Sequence, residues 1–333
     1  MSLDVIAEEE MVDVSFPKPQ ADGTYADAKG GTEMMAERIT DILERNGLDD
    51  KINVIHSRVR EDSIDLSKKN ILLLHDTCDD PEAAHLSKPS SRNKFDKIVF
   101  VSNHQMQSFH YQHALRYKET HVIHNAIDPI VLTEPKPTER INLIYHTTPH
   151  RGLEILVPCF EWICNHFKDQ VELHLDVYSS FNAYGWADRD IPYKGLFEKV
   201  DSHPNMTYHG YQPNDVVREA LKQAHIFAYP NIWQETSCIA AIEAMSAGCE
   251  IVCPNHAALP ETTAGFATMY QYHEDPNSHA HEFIETLVNA IHSHRSAGQQ
   301  SKLEMAKVYI DNFYNWSYRE SEWLQLFSKL MRE

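Results

Sequence analysis

The sequence predicts an α/β protein organised as two domains. Short apolar runs recur along the chain, and each is followed by a stretch with helical spacing, the alternation of βαβ units around a parallel sheet. A polar segment with two prolines, Thr133-Glu134-Pro135-Lys136-Pro137-Thr138-Glu139-Arg140, divides the series and reads as an interdomain linker. At 333 residues the chain also exceeds the roughly 100 to 200 residues of one ordinary domain.

In the first part the expected strands are Met11–Phe16, Ile52–His56, Ile71–His75, Ile98–Ser102 and His121–His124. In the second they are Ile141–His146, Val171–Tyr178, Met206–His209, His225–Tyr229 and Glu250–Cys253. After about residue 279 the pattern turns helical, with His281–His292 and Ser301–Phe313 as expected helices. A break near Asn315-Trp316 follows. Ser317 then reads as an N-cap with Glu320 as its capping-box partner, opening a last helix with Trp323, Leu324, Phe327 and Leu330 on one face. Domains are expected over 1–135 and 136–312, with a terminal helical segment over 313–333.

Composition excludes several classes. A formal net charge of −19 argues against binding nucleic acid or an anionic membrane through a diffuse basic field. A group of cations, Lys88, Arg92, Lys94 and Lys97, reads as a solvated face or a local pocket for an anionic acceptor. The start, Met1-Ser2-Leu3-Asp4-Val5, lacks a basic stretch before an apolar run, so no secretory signal is expected. Apolar runs such as Ile71-Leu72-Leu73-Leu74 fall far below the roughly 20 residues that cross a bilayer. No transmembrane segment is expected. Six cysteines, mostly inside apolar segments, read as free thiols of a cytoplasmic protein.

Candidate chemistry starts from glycine, of which the chain has only 11. The sole pair, Gly30-Gly31, precedes Thr32 to Ile39, which has helix spacing; bare amides at such a helix start can face a phosphate. An ordinary tight turn is the alternative. Neither the dinucleotide glycine pattern nor a P-loop is present.

The most informative stretch runs from Ala224 to Thr262. A buried strand ends at Pro230, Asn231 to Gln234 form a loop, and a helix is expected from Glu235 to a Gly248 C-cap. On one helix, glutamates eight residues apart differ by about 12 Å of rise and about 80° of rotation, so Glu235 and Glu243 can border one elongated ligand. Amides around Thr236, Ser237 and Cys238 favour an anion between them. A polyol, then phosphate, then a second polyol fits that pattern: a nucleotide sugar. The plain alternative is one exposed and one capping glutamate.

The segment Tyr229-Pro230, Glu235-Thr236-Ser237, Glu243-Ala244-Met245, Ala247-Gly248, Leu259-Pro260-Glu261 resembles the signature of glycosyltransferase family 4, retaining enzymes of GT-B fold. Supporting matches are Gly30-Gly31-Thr32-Glu33, His75, Val101-Ser102, Ile123-His124-Asn125-Ala126-Ile127-Asp128, Arg151-Gly152-Leu153, His209-Gly210 and Trp316-Ser317. The resemblance implies two Rossmann-like domains facing a cleft, with a C-terminal helix crossing back to the first. It implies that Glu243 binds the ribose hydroxyls and Glu235 the donor sugar, while Thr236 and Ser237 offer amides to the diphosphate. Arg151 stands where the family has a lysine before glycine, a cation for the phosphates. Gly30 and Gly31 would line the cleft from the first domain, and His75 would point at the sugar. The implied catalytic residues are Glu235, His75 and Arg151.

Two departures stand out. Tyr145-His146-Thr147-Thr148-Pro149-His150 lacks the family's glycine and arginine, leaving Thr147 and Thr148 as hydrogen-bond donors to phosphate, and Ala126 replaces a glycine. The implied partners are a nucleoside diphosphate sugar and a hydroxyl-bearing acceptor such as a glycan, without nucleic acid. No cofactor or metal is expected: Asp188-Arg189-Asp190 has the Asp-x-Asp spacing but reads as a loop, and His279, His281, His292 and His294 read as solvated. The competing functions are a GT-B sugar-nucleotide epimerase and a catalytically silent nucleotide-sugar-binding protein.

Overall fold

A computed structural model describes residues 30–168 and 170–332. The strand expected at Met11–Phe16 lies outside them. Four strands, β1 (Ile52–His56), β2 (Lys69–Leu74), β3 (Lys97–Phe100) and β4 (Thr120–Val122), form a parallel sheet in the order β1-β2-β3-β4. Six more follow: β5 (Ile141–Tyr145), β6 (Leu173–Val177), β7 (Met206–Tyr208), β8 (Ile226–Ala228), β9 (Glu250–Pro254) and β10 (Thr268–Tyr270). They form a second parallel sheet in the order β10-β9-β8-β5-β6-β7.

Parallel sheets covered by helices on both faces have strands that read as unbroken apolar runs. That is the case for Ile71 to Leu74, at most 2% exposed, and for Ile226-Phe227-Ala228, at 0%. Most expected strands stop one or two residues early, at the C-terminal end. There His75, Ser102, His124, His146, Tyr178, His209 and Tyr229 leave the ladder, on the edge where α/β sheets form their ligand crevice. β10 was not anticipated, because Thr268-Met269-Tyr270 is too short to give a periodic signal.

The second sheet has one large core, and the first has one core on each face. On one of those faces Ile39, Ile42 and Leu43 pack with Trp323, Leu326, Phe327 and Leu330, so the last helix crosses back onto the first sheet. That helix spans Trp316–Leu330, and its N-cap is Asn315 rather than Ser317: the Asn315 side chain accepts from the Tyr318 amide at 2.8 Å. Asparagine caps as well as serine, and it lies where the backbone is still extended. Glu320 pairs with Arg45 at 3.3 Å instead of closing a capping box.

No regular element lies between β4 and β5, where the two-proline segment runs. Just before it, Ile127 forms an isolated parallel bridge with Asn315, and its amide donates to the Tyr314 carbonyl at 2.8 Å. The outgoing linker and the returning tail therefore run side by side.

Three further expectations need correction. His279 is fully buried with Nε2 2.9 Å from the Tyr270 hydroxyl, and His294 is buried 3.5 Å from Glu250, so neither is a solvated histidine. Within the Pro276–Ser293 helix, His279 shares the i, i+4 stripe of Phe283 and Leu287. Arg92 is buried as well, donating to the Leu86 carbonyl at 2.8 Å and pairing with Glu119, which removes it from any open basic face. Of the cysteines, all free, Cys159, Cys238, Cys249 and Cys253 are buried and Cys78 and Cys164 half-buried. Among the described residues no helix is long and apolar enough to cross a membrane.

Candidate active site

The C-terminal edges of the two sheets meet across a cleft, and the first contacts over it come from glycine. Gly30 precedes the Gly31–Arg45 helix, and a Cβ on it would stand 2.6 Å from Cε1 of Tyr184 in the second domain. A Cβ on Gly31 would stand 2.8 Å from Cδ1 of Ile239, the first residue of the Ile239–Ser246 helix. The missing side chains thus let two helix N-termini abut. Neither is capped by a side chain; the first already carries Glu33 in its first turn, so it is the start of the Ile239–Ser246 helix, with no acidic residue there, that suits an anion.

Glu235 is not part of that second helix. The helix starts at Ile239, and Glu235, Thr236, Ser237 and Cys238 form the loop that leads into it. Hydroxyl-bearing residues compete with helix geometry, and Glu235 is drawn elsewhere. Its buried carboxylate accepts from the Arg151 guanidinium and from the Tyr229 hydroxyl. The relation expected for two glutamates on one helix therefore does not hold. Ser237 is half-buried in the same loop, and the Thr236 hydroxyl donates to the carbonyl of His75 at 2.7 Å, a second clasp across the cleft.

Arg151 is placed by the residue after it. Gly152 has φ 124°, and a Cβ there would lie 2.1 Å from the Pro230 carbonyl oxygen, so only glycine lets this turn tuck under the Tyr229-Pro230 loop. Gly152→Ala is expected to cost more than about 3 kcal/mol by combining strain with a backbone clash. Chemical denaturation would check this; a loss below about 1 kcal/mol would mean the loop yields without cost.

The guanidinium also donates to the Thr148 hydroxyl at 3.2 Å and approaches the Tyr184 hydroxyl at 3.4 Å. Thr148, not Thr147, is the threonine in contact with it. Burial works to lower the pKa of Arg151, but Glu235 outweighs that and raises it well above the ordinary value. Aromatic rings wall the group in: Trp233 lies 6.0 Å from the guanidinium, and His150 stacks on Phe181 and meets Trp233 edge-on.

His75 follows β2 and stacks on His56, which ends β1; ring nitrogens approach to 3.4 Å. Burial lowers the pKa of His56 to about 4, and burial together with His56 lowers that of His75 to about 3. Both rings are neutral near pH 7, so His75 can hydrogen-bond but supplies no charge. Glu243, also buried, accepts from Arg218 at 2.9 Å and from Asn214 at 3.1 Å. Burial pushes its pKa up against the opposing pull of Arg218 and Asn214. Arg218 in turn donates to the Asp128 carbonyl at 2.6 Å, and Asp128 pairs with Arg38 of the first domain. Among the described residues no shared hydrogen-bond partner joins this network to the Glu235–Arg151 group.

Tyr184 and Glu261 emerge only in three dimensions. Glu261 reaches from the second domain to the start of the Asn103–His113 helix, accepting from the Asn103 and His104 amides at 2.8 Å and lying 3.0 Å from His124. Burial works to raise its pKa, but His124 and those amides hold the carboxyl at about 2. The Leu259-Pro260-Glu261 triplet was the signal that could have found it. Tyr184 was signalled only by an aromatic-rich stretch from Phe181 to Trp186. Asp190 holds that stretch together, accepting from the Phe181 amide at 2.8 Å. Among the described residues no group of three or more His, Cys, Asp or Glu side chains is arranged to hold a metal ion.

Residues 185–305 match the family model described as Glycosyl transferases group 1. The chain is 25% identical over 169 residues, 49% of its length, to a human protein of the phosphatidylinositol N-acetylglucosaminyltransferase. It spans about a third of the length of that curated relative, 33%. Among solved structures, a glycosyltransferase from Rickettsia africae ESF-5 superposes with a TM-score of 0.66 at 11% identity, covering 93% of this chain and 84% of that one. HepE of Anabaena, in complex with UDP and glucose, superposes at 0.63 with 13% identity, covering 90% and 83%. The fold is that of the GT-B glycosyltransferases, and the second domain carries the match to the group 1 family.

Proposed function

We propose that the chain is a retaining glycosyltransferase of family 4 type, moving a sugar from a nucleoside diphosphate sugar to an acceptor hydroxyl without a metal. The observation that carries this reading is the convergence of two uncapped helix N-termini beside the buried cation Arg151. The diphosphate would lie there, on the amides around Thr236 and Ser237, with Gly30, Gly31 and Thr147 lining its approach. A guanidinium has five donors, so Arg151 can hold Glu235 through one and offer others to phosphate. Glu235, so oriented, would accept from donor-sugar hydroxyls, with the neutral His75 over the sugar from the other domain. Glu243 retains acceptor capacity beyond Arg218 and Asn214 for ribose hydroxyls.

Charge builds on the leaving phosphate as its bond to the anomeric carbon breaks, and preformed dipoles and Arg151 stabilise it there. The acceptor oxygen bonds to that carbon from the leaving-group side, and its proton passes to the departing phosphate oxygen. Configuration is retained, and no carboxylate nucleophile is needed. Closing the cleft excludes the water that would hydrolyse the donor. The glucose and UDP of HepE and the N-acetylglucosamine in the human relative's name make uridine sugars the first donors to test. The six free thiols are consistent with a cytoplasmic setting.

Thermal-shift screening against ADP, GDP, UDP and their sugars is the decisive experiment, since a ligand at 100 times its Kd adds about 2.7 kcal/mol to stability. Glu243→Ala is expected to abolish the shift given by the stabilising nucleotide, whereas Glu235→Ala keeps it and lowers turnover roughly 100-fold. Unchanged shift and turnover in both variants would refute the assignment. Conversion of a free nucleotide sugar to its epimer without acceptor would favour the epimerase.

A further inference from the structure

Glu33 belongs to none of the roles above. It lies half-buried in the first turn of the Gly31–Arg45 helix, and one of its two carboxylate oxygens, Oε2, is buried with no hydrogen-bond partner among the described residues. Leaving a carboxylate oxygen buried and bare is costly, and native structures keep such groups where a ligand or water completes them. The position is informative. Oε2 of Glu33 and Cε1 of Tyr184 stand 2.8 Å and 2.6 Å from the point where a Gly30 Cβ would be, so carboxylate and phenol flank the same spot on the cleft wall. The Tyr184 hydroxyl is in turn 3.4 Å from the Arg151 guanidinium.

We propose that Glu33 is a specificity-determining residue that accepts a hydrogen bond from a hydroxyl of the donor sugar; this rests on the nucleotide-sugar reading above. An ionised carboxylate only accepts, so its partner must bring a hydrogen. Phosphate and uronate groups are repelled by it, and phosphate is already drawn to Arg151 and the start of the Ile239–Ser246 helix. With the ribose hydroxyls assigned to Glu243 and the acceptor's proton to the departing phosphate, what remains beside a bound diphosphate is the neutral sugar ring. The site therefore takes neutral hexoses bearing a free hydroxyl and discriminates against uronic acids.

The test is calorimetric titration of wild type, Glu33→Gln and Glu33→Ala with UDP, GDP and ADP, and with UDP-glucose, GDP-mannose and ADP-glucose. Glu33→Ala is expected to bind the free diphosphate within twofold of wild type and its sugar about tenfold more weakly. Glu33→Gln, which keeps an acceptor oxygen, falls between. Wild type is expected to bind UDP-glucuronate more weakly than UDP-glucose, with Glu33→Gln narrowing the gap. A residue acting only as a favourable first-turn charge would instead lower the melting temperature and shift diphosphate and sugar alike. An unchanged ratio of sugar to diphosphate affinity across the variants overturns the role of Glu33 while leaving the glycosyltransferase reading intact. Failure of wild type to bind any of these ligands overturns that reading and this proposal together.

Discussion

Arg151→Ala is expected to lower kcat by about 100- to 1,000-fold, the usual effect of deleting one group that stabilises charge on a leaving oxyanion. The same change removes the partner of a buried carboxylate, for Glu235 is 5% exposed and bonded to the Arg151 guanidinium. Stranding one charge of a buried pair costs about 3 to 5 kcal/mol, so a fall in stability should accompany the loss of rate. Arg151→Lys separates the two effects. Lysine keeps the charge beside Glu235, and most of the stability with it, but lacks the planar fork that serves carboxylate and phosphate at once. It should therefore melt near wild type and still turn over at least tenfold more slowly. Steady-state kinetics and melting curves on the two variants check this. An Arg151→Ala protein with wild-type kcat would remove Arg151 from the chemistry.

Acidification is expected to destabilise the protein steeply between about pH 6.5 and pH 4. Eleven of the described histidines have lowered pKa values, burial being the first cause in each, and six are lowered furthest: to about 4 for His56, His225 and His279, and to about 3 for His75, His146 and His150. The unfolded chain protonates these rings near pH 6.5, whereas the folded protein holds them neutral to lower pH. In that window the unfolded state binds more protons, so stability falls as pH falls, by up to about 1.4 kcal/mol per pH unit for each ring. Glu261 acts lower on the scale: its carboxyl is held at about 2, so its contribution is intact above about pH 4.5 and disappears as pH drops through 2. Urea unfolding at pH 7, 6 and 5 measures the slope. A flat profile would mean that the buried rings take up protons while folded.

The architecture was legible because it is written in local pattern. Ile71 to Leu74 and Ile226 to Ala228 are apolar on both faces, and their spacing from helical stretches leaves few alternatives to two parallel sheets. β10 was not legible, since three residues give no period. The site was legible in composition and misread in geometry. Motif points to Glu235 and Glu243, but the helix formers of the stretch, Glu, Ala, Ile and Met, predict a helix that includes Glu235. A tertiary partner, Arg151, 84 residues away in sequence, outweighs that propensity and holds Glu235 in a loop. Tyr184, Glu261 and the bare oxygen of Glu33 depend on contacts between domains, and no periodicity encodes those. His279 is different: its i, i+4 relation to Phe283 was visible, and polarity alone led to the reading of a solvated ring.

The isolated bridge between Ile127 and Asn315 has a mechanical consequence. Both crossings of the chain pass through one narrow place, fastened to each other as two leaves of a single hinge. Such a joint resists sliding and wringing of the lobes but leaves swinging about its own line comparatively free. Any parting of the two lobes about that joint would thereby follow one arc, widest on the side away from the pivot.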